Sequence, residues 1–128
     1  MKIIRSELFT ASLAALRASD STLFEVVAAD LKYLIVRRHD ALLPQVRFGM
    51  VQSAFPDVLG EVRSHIPGEQ AFVRTLFAMP TNEWCCAFLV MGDKNDSTTG
   101  GATGNAWYDE AVPIADEIWR AIANTRPG

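Results

Sequence analysis

The densest group of basic side chains in the sequence is Arg37-Arg38-His39, with Asp40 directly after it and Arg47 further along. Guanidinium groups bind phosphates and carboxylates through paired hydrogen bonds, so this cluster could hold a phosphate or an acidic partner. A structural interpretation is favoured, because cations at the end of a helix stabilise the negative end of its dipole. Arg37, Arg38 and His39 are kept as candidate anion-binding residues.

A polar, glycine-rich segment over residues 94–105 is the second candidate. Backbone N–H groups of such segments can approach a phosphate closely. The spacing differs from that of known phosphate-binding loops, because Gly104 is followed by Asn105-Ala106 and not by Lys and Ser or Thr. The favoured interpretation is a connection between a strand and a helix, with Gly101 as a candidate ligand contact.

Two aromatic residues, Trp107 and Tyr108, follow this segment directly. Aromatic side chains at the junction of a loop and a helix can line a ligand pocket or anchor an interface, and they can equally belong to the core. If the protein has a small-molecule site, we expect it between Trp107, Tyr108 and a hairpin predicted over residues 70–91.

The two cysteines, Cys85 and Cys86, are neighbours in the chain. Neighbouring residues of a strand point to opposite faces, which argues against a disulfide between them and predicts inert, buried thiols. A catalytic pair of one cysteine with His39 or His65 is therefore not favoured. Neither Cys-x-x-Cys nor His-x-x-x-His occurs, and we predict no metal site, no cofactor and no catalytic residue.

Helical spacing of apolar residues predicts about four helices in the first part of the chain. They are expected over residues 6–18, 22–38, 41–54 and 57–66. The 22–38 segment also fits a hairpin, because its second half is rich in strand-forming residues. A last helix is expected within residues 109–124, with Asp116 and Glu117 on its solvated face.

Between these helices the sequence predicts an antiparallel hairpin over about residues 70–91. Its second strand, residues 84–91, is apolar at every position, which is typical of a strand covered on both faces. Two strands alone are marginal, so residues 1–5, residues 31–37 or a second subunit must supply a further strand. The predicted fold class is α+β, with N-terminal helices, a central antiparallel hairpin or small sheet and a C-terminal helix. A homodimer with the hairpin near its interface is expected.

Length and composition indicate one globular domain over residues 1–128, since 49% of the residues are hydrophobic. The formal net charge of −3 makes nucleic acid an unlikely partner, because proteins that bind it usually carry a basic excess. No apolar run reaches the length of a membrane span, and the first residues lack the apolar stretch of a signal peptide. We therefore expect a soluble, cytoplasmic protein.

Two functions remain open at this point. The first is a non-catalytic binding or protein-interaction module that acts through an apolar and aromatic surface, as a homo-oligomer or with another protein. The alternative is a small enzyme or small-ligand-binding protein with its site at the 94–105 segment and Arg37-Arg38-His39. The first is favoured because the sequence contains no recognisable catalytic motif.

Overall fold

The apolar segment at the end of the predicted hairpin forms the strand β5, and β5 lies inside a mixed five-stranded sheet. The computed structural model describes residues 1–95 and 104–126, excluding the side chains of residues 104 and 105. The strands are β1 (Lys2–Arg5), β2 (Val46–Phe48), β3 (Leu59–His65), β4 (Phe72–Ala78) and β5 (Cys85–Asp93). The helices are α1 (Glu7–Ser19), α2 (Ser21–Arg37) and α3 (Gly104–Asn124). A 3₁₀ turn, Arg38–Asp40, follows α2.

The strands lie in the order β1, β5, β4, β3, β2. β1 runs parallel to β5, with Lys2 opposite Cys85, and the other neighbouring strands are antiparallel. Residues 1–5 thus supply the further strand that the apolar β5 requires, which was one of the three sources expected from the sequence. The β4–β5 hairpin exists, but it belongs to a sheet larger than the one predicted.

Local signals in the sequence explain where the first two helices begin. Ser6 precedes α1, and its side chain accepts a hydrogen bond from the backbone N–H of Phe9. Asp20 does the same for α2, accepting from the N–H of Leu23 at 3.1 Å. Such caps satisfy backbone donors that have no partner inside the helix. The helix expected over residues 22–38 is confirmed against the alternative hairpin.

The predicted helices over residues 41–54 and 57–66 are wrong, because these segments contain the strands β2 and β3. Val58, Leu59, Val62 and Ile66 have helical spacing, but pairing with β4 along the whole of β3 overrides that local preference. The α+β class stands. The described part of the chain has three α-helices and five strands rather than about four N-terminal helices and a small hairpin.

Helices cover both faces of the sheet and bury two separate apolar clusters. On one face α1 and α2 pack with a cluster that includes Phe9, Val27, Leu34, Phe77 and Cys86. On the other face α3 packs on β5 and β4, and its cluster includes Leu76, Cys85, Leu89, Val112 and Trp119. In the described part of the chain no helix is long and apolar enough to cross a membrane.

Candidate functional site

The face of the sheet that α3 covers also carries, beside α3, a cavity of about 270 Å³ that is lined by charged side chains. We call it the cationic pocket and define it by Arg47, Glu61, Arg63, Arg74, Lys94 and Tyr108. β2, β3 and β4 supply the first four side chains, Lys94 directly follows β5, and Tyr108 lies near the start of α3. The connection between β2 and β3 forms the remaining wall.

Strand register explains why these side chains share one face. Residues two apart in a strand point to the same side, so Glu61 and Arg63 lie together on β3. Arg47 is the cross-strand partner of Glu61, and Arg74 is the partner of Arg63. The Arg63–Arg74 pair places two like charges directly opposite each other, an arrangement that destabilises a sheet unless an anion compensates for it. Glu61 pairs with Arg63, at 4.0 Å from its Nε, and not with Arg74.

Arg74 is the most buried cation of the pocket, with only 3% of its surface exposed. Its Nε donates to the hydroxyl of Tyr108 at 3.2 Å, and its Nη1 donates to the carbonyl oxygen of Val73 at 3.2 Å. Among the described residues, no carboxylate forms an ion pair with it. A buried guanidinium with only neutral partners destabilises the folded state, and a bound anion would offset that destabilisation.

Glu61 and Tyr108 form the acidic side of the pocket. Glu61 is 4% exposed and accepts a hydrogen bond from the Tyr108 hydroxyl at 2.5 Å. Burial, followed by the hydrogen bond and charge of Glu61, raises the pKa of Tyr108 to about 12. Tyr108 therefore stays protonated at neutral pH, and a chain of hydrogen bonds runs from Arg74 through Tyr108 to Glu61. This chain fixes α3 to β3 and β4 and orients the Arg74 guanidinium.

The pocket has an excess of positive charge. Four cationic side chains face one carboxylate, and burial together with the charges of Arg74 and Arg63 lowers the pKa of Lys94. Lys94 and Arg74 both lie near the ring of Phe72, at 5.4 Å and 5.9 Å from its centroid. The Nε atom of Arg63 is buried and has no hydrogen-bond partner in the described part of the chain, although it lies 4.0 Å from a Glu61 carboxylate oxygen. These features suit the binding of an anion.

The basic cluster singled out in the sequence lies at the end of α2. Nδ1 of His39 lies 2.9 Å from a Glu83 carboxylate oxygen, and its Nε2 lies 3.2 Å from the carbonyl oxygen of Met79. Arg38 Nη1 lies 3.7 Å from the other oxygen of Glu83, while Arg37 is exposed. These contacts join the end of α2 to the β4–β5 turn, and a ligand at Arg37, Arg38 and His39 stays a prediction.

The aromatic pair predicted to line a ligand site lies close to the cationic pocket. Tyr108 lines the cavity, and Trp107 packs edge-on against Tyr108 with a centroid distance of 5.1 Å. A Cβ atom on Gly92 would lie 2.7 Å from the indole Nε1 of Trp107, so only glycine permits this close packing of α3 on β5. Gly101 lies outside the described residues.

Glu61, Arg63 and Arg74 were not singled out in the sequence, and Lys94 was included only as the first residue of the 94–105 segment. Arg74 carries the clearest signal in retrospect, because it is a charged residue within the otherwise apolar and hydroxylic run of residues 72–79. Charged side chains are almost never fully buried unless they are paired or functional. Glu61 and Arg63 could not be recognised as neighbours of Arg74 while their segment was interpreted as a helix.

Cys85 and Cys86 are both fully buried and belong to the apolar clusters on opposite faces of the sheet, as the sequence predicts. Burial raises the pKa of Cys85 to about 11 and that of Cys86 to about 12, which disfavours the reactive thiolate form. In the described part of the chain, no group of three or more His, Cys, Asp or Glu side chains is placed to hold a metal ion.

Comparisons of the chain with protein-family models, curated proteins and solved structures give no match, so the chemistry of the site follows from its own residues.

Proposed function

We propose that the protein binds a small ligand with a phosphate group in the cationic pocket. The observation that carries the proposal is the buried Arg74, which lies directly opposite Arg63 and has no carboxylate partner among the described residues. Arginine presents a planar fork of donors that matches phosphate oxygens, so two arginines and Lys94 could bind a dianion together.

The shape and charge of the protein favour a small ligand over a nucleic acid. The cationic side chains line a concave cavity of about 270 Å³, and Arg74 is too deeply buried to meet an extended backbone. The chain as a whole carries a net charge of −3, which gives no long-range attraction for a polyanion. The proposal therefore follows the small-ligand alternative from the sequence, with Tyr108 and Lys94 in the site but without Arg37, Arg38 and His39.

The interaction module favoured from the sequence stays a second proposal, supported by exposed apolar side chains. Leu42 and Leu43 are 62% and 63% exposed and lie just before the edge strand β2, whose outer side has no neighbouring strand among the described residues. Edge strands and exposed leucines are ready surfaces for association. The homodimer and the cytoplasmic location also stay predictions, and sedimentation of the purified protein tests the first.

Isothermal titration calorimetry with inorganic pyrophosphate tests the proposed function. We expect saturable binding by the native protein and a loss of about tenfold or more in affinity for Arg74→Met, since one or two charge-assisted hydrogen bonds disappear. Arg74→Lys keeps the positive charge, so a folded Arg74→Lys variant with weakened binding shows a loss of binding without a loss of folding. Arg120→Met on the exposed face of α3 is the matched control. The proposal is overturned if the native protein does not bind pyrophosphate, or if Arg120→Met weakens binding as much as Arg74→Met.

A further inference from the structure

A second cavity, of about 400 Å³, adjoins the cationic pocket. Arg63 and Arg74 line both cavities, so a phosphate held by these two side chains lies at the boundary between them. The rest of the second cavity is lined by Val26, Asp30, Pro44, Gln45, His65 and Phe72. We call it the ring pocket. The two volumes together lie within the roughly 300–1,000 Å³ that small-molecule sites occupy.

We propose, building on the proposed function, that the ligand is a nucleoside phosphate whose phosphate lies in the cationic pocket and whose base lies in the ring pocket. Three features of the two cavities support this ligand: a flat wall that suits a planar ring, polar groups that suit the edge of a base, and a charge distribution that fixes the orientation.

The flat wall comes from two side chains that face each other across β3 and β4. His65 and Phe72 are cross-strand partners, and their rings stack with a centroid distance of 3.9 Å and an angle of 5° between planes. His65 Nδ1 lies 2.9 Å from the carbonyl oxygen of Ala71, which can only accept, so Nδ1 carries the proton and the ring plane is fixed. A rigid planar surface of this kind favours stacking of a nucleobase.

The polar groups of the ring pocket are the carboxyl of Asp30 and the amide of Gln45. A carboxylate accepts hydrogen bonds, and a primary amide both donates and accepts. Adenine, guanine and cytosine carry an exocyclic amino group that donates, whereas uracil does not. Asp30 is half-buried, and burial raises its pKa although a hydrogen bond with Ser64 acts in the opposite direction, so an amino group that donates to it would replace lost hydration.

The charges of the two cavities indicate which end of the ligand lies in which cavity. The cationic pocket has four cations and the single carboxylate of Glu61, which is already hydrogen-bonded to Tyr108. The ring pocket adds the carboxylate of Asp30, and a phosphate beside that carboxylate would be repelled. The phosphate therefore lies at Arg63 and Arg74, and the base lies towards Asp30.

Calorimetric titration with pyrophosphate, ribose 5-phosphate and the four nucleoside 5′-monophosphates tests the inference. We expect at least one nucleotide with an amino-bearing base to bind about tenfold or more tightly than ribose 5-phosphate and than uridine monophosphate. Asp30→Asn should reduce that preference more than it changes the affinity for ribose 5-phosphate. Glu25→Gln, on the exposed side of the same helix, is the matched control and should change neither.

Each other result contradicts a defined part of the argument. Equal affinities for ribose 5-phosphate and all nucleotides would overturn the inference and leave the proposed function standing. A nucleotide preference that Asp30→Asn does not change would overturn the placement of the base in the ring pocket. Failure of every phosphate compound, pyrophosphate included, would overturn both the inference and the proposed function.

Discussion

At the scale of single residues, the site depends on how each cation is compensated. Arg74 donates only to neutral oxygens among the described residues, and burial together with the charges of Arg74 and Arg63 lowers the pKa of Lys94. A bound phosphate would compensate the charge of Arg74 and the charge of Lys94 at the same time. The cations of the pocket are therefore better suited to a bound anion than to the free protein, as expected of a preorganised binding site.

The affinity for ribose 5-phosphate, whose phosphate is fully ionised above about pH 8, should fall at alkaline pH because Lys94 loses its proton. Its pKa lies below the ordinary 10.5, whereas Tyr108 titrates only at about 12 and arginine above that. Dissociation constants measured between about pH 8 and about pH 11 should rise through the pKa of Lys94. Lys94→Met should bind more weakly at the lower pH and lose this dependence. An unchanged pH profile in that variant would contradict the role given to Lys94.

Glu83 provides a pH-dependent contribution to folding at the end of α2. Its hydrogen bond with His39, together with the charge of Arg38, lowers its pKa below the ordinary 4.5. A carboxyl with a lowered pKa contributes stability above its unfolded pKa and loses it as the pH falls through the folded pKa. The difference in unfolding free energy between the native protein and Glu83→Gln should therefore be present near neutral pH and shrink below about pH 4.5. Exposed Glu69→Gln serves as the control, and a difference that persists in acid would refute the assignment.

At the scale of elements, the connection between β2 and β3 decides where α3 sits. Asp116 on α3 accepts hydrogen bonds from the Ser53 hydroxyl at 2.5 Å and from the Ala54 N–H at 2.8 Å. The expectation that Asp116 is solvated is wrong, since it is only 8% exposed. Helical periodicity groups Asp116 with the exposed Glu117 on the polar face of α3, but periodicity cannot show that a loop from another part of the chain covers Asp116.

Replacing Asp116 should therefore destabilise the protein much more than replacing its neighbour. Asp116→Ala leaves the buried hydroxyl of Ser53 and the N–H of Ala54 without their acceptor, and the free energy of unfolding should fall by about 1–3 kcal/mol. Glu117→Ala, on the exposed side of the same turn, should change it by less than about 0.5 kcal/mol. Urea denaturation followed by tryptophan fluorescence measures both. Equal effects would show that the Ser53–Asp116 contact does not hold the loop on α3.

How far the sequence predicts the elements depends on whether their signals are local. Ser6, the α2 periodicity and the apolar β5 are read correctly, because caps and burial patterns act within a few residues. β3 is missed because Leu59–His65 contains glycine, three polar or charged residues and histidine, and its strand form depends on pairing with β4. Since Glu61 and Arg63 belong to β3, missing this strand also hid the cationic pocket.

At the scale of the whole molecule, β5 is enclosed on every side by other elements. β1 and β4 flank it within the sheet, and the α1–α2 and α3 layers lie above and below. The sequence shows that such a strand needs cover, but it cannot show that the cover comes from the opposite end of the chain. The expected homodimer thus loses its original reason, the uncovered strand, and depends instead on the surface near Leu42 and Leu43.

The two central cysteines provide a test of this enclosure. Cys85 lies under α3 and Cys86 under α1 and α2, both fully buried, and their pKa values of about 11 and about 12 further slow reaction with thiol reagents. If the three layers open together, single-cysteine variants Cys86→Ala and Cys85→Ala should react at rates that follow the global unfolding free energy of each variant. Saturating pyrophosphate should slow both reactions by the same factor, because a ligand that binds only the folded state stabilises every layer equally. Rapid labelling of Cys85 alone, at a rate independent of urea, would show instead that α3 detaches from the sheet while the α1–α2 layer stays closed.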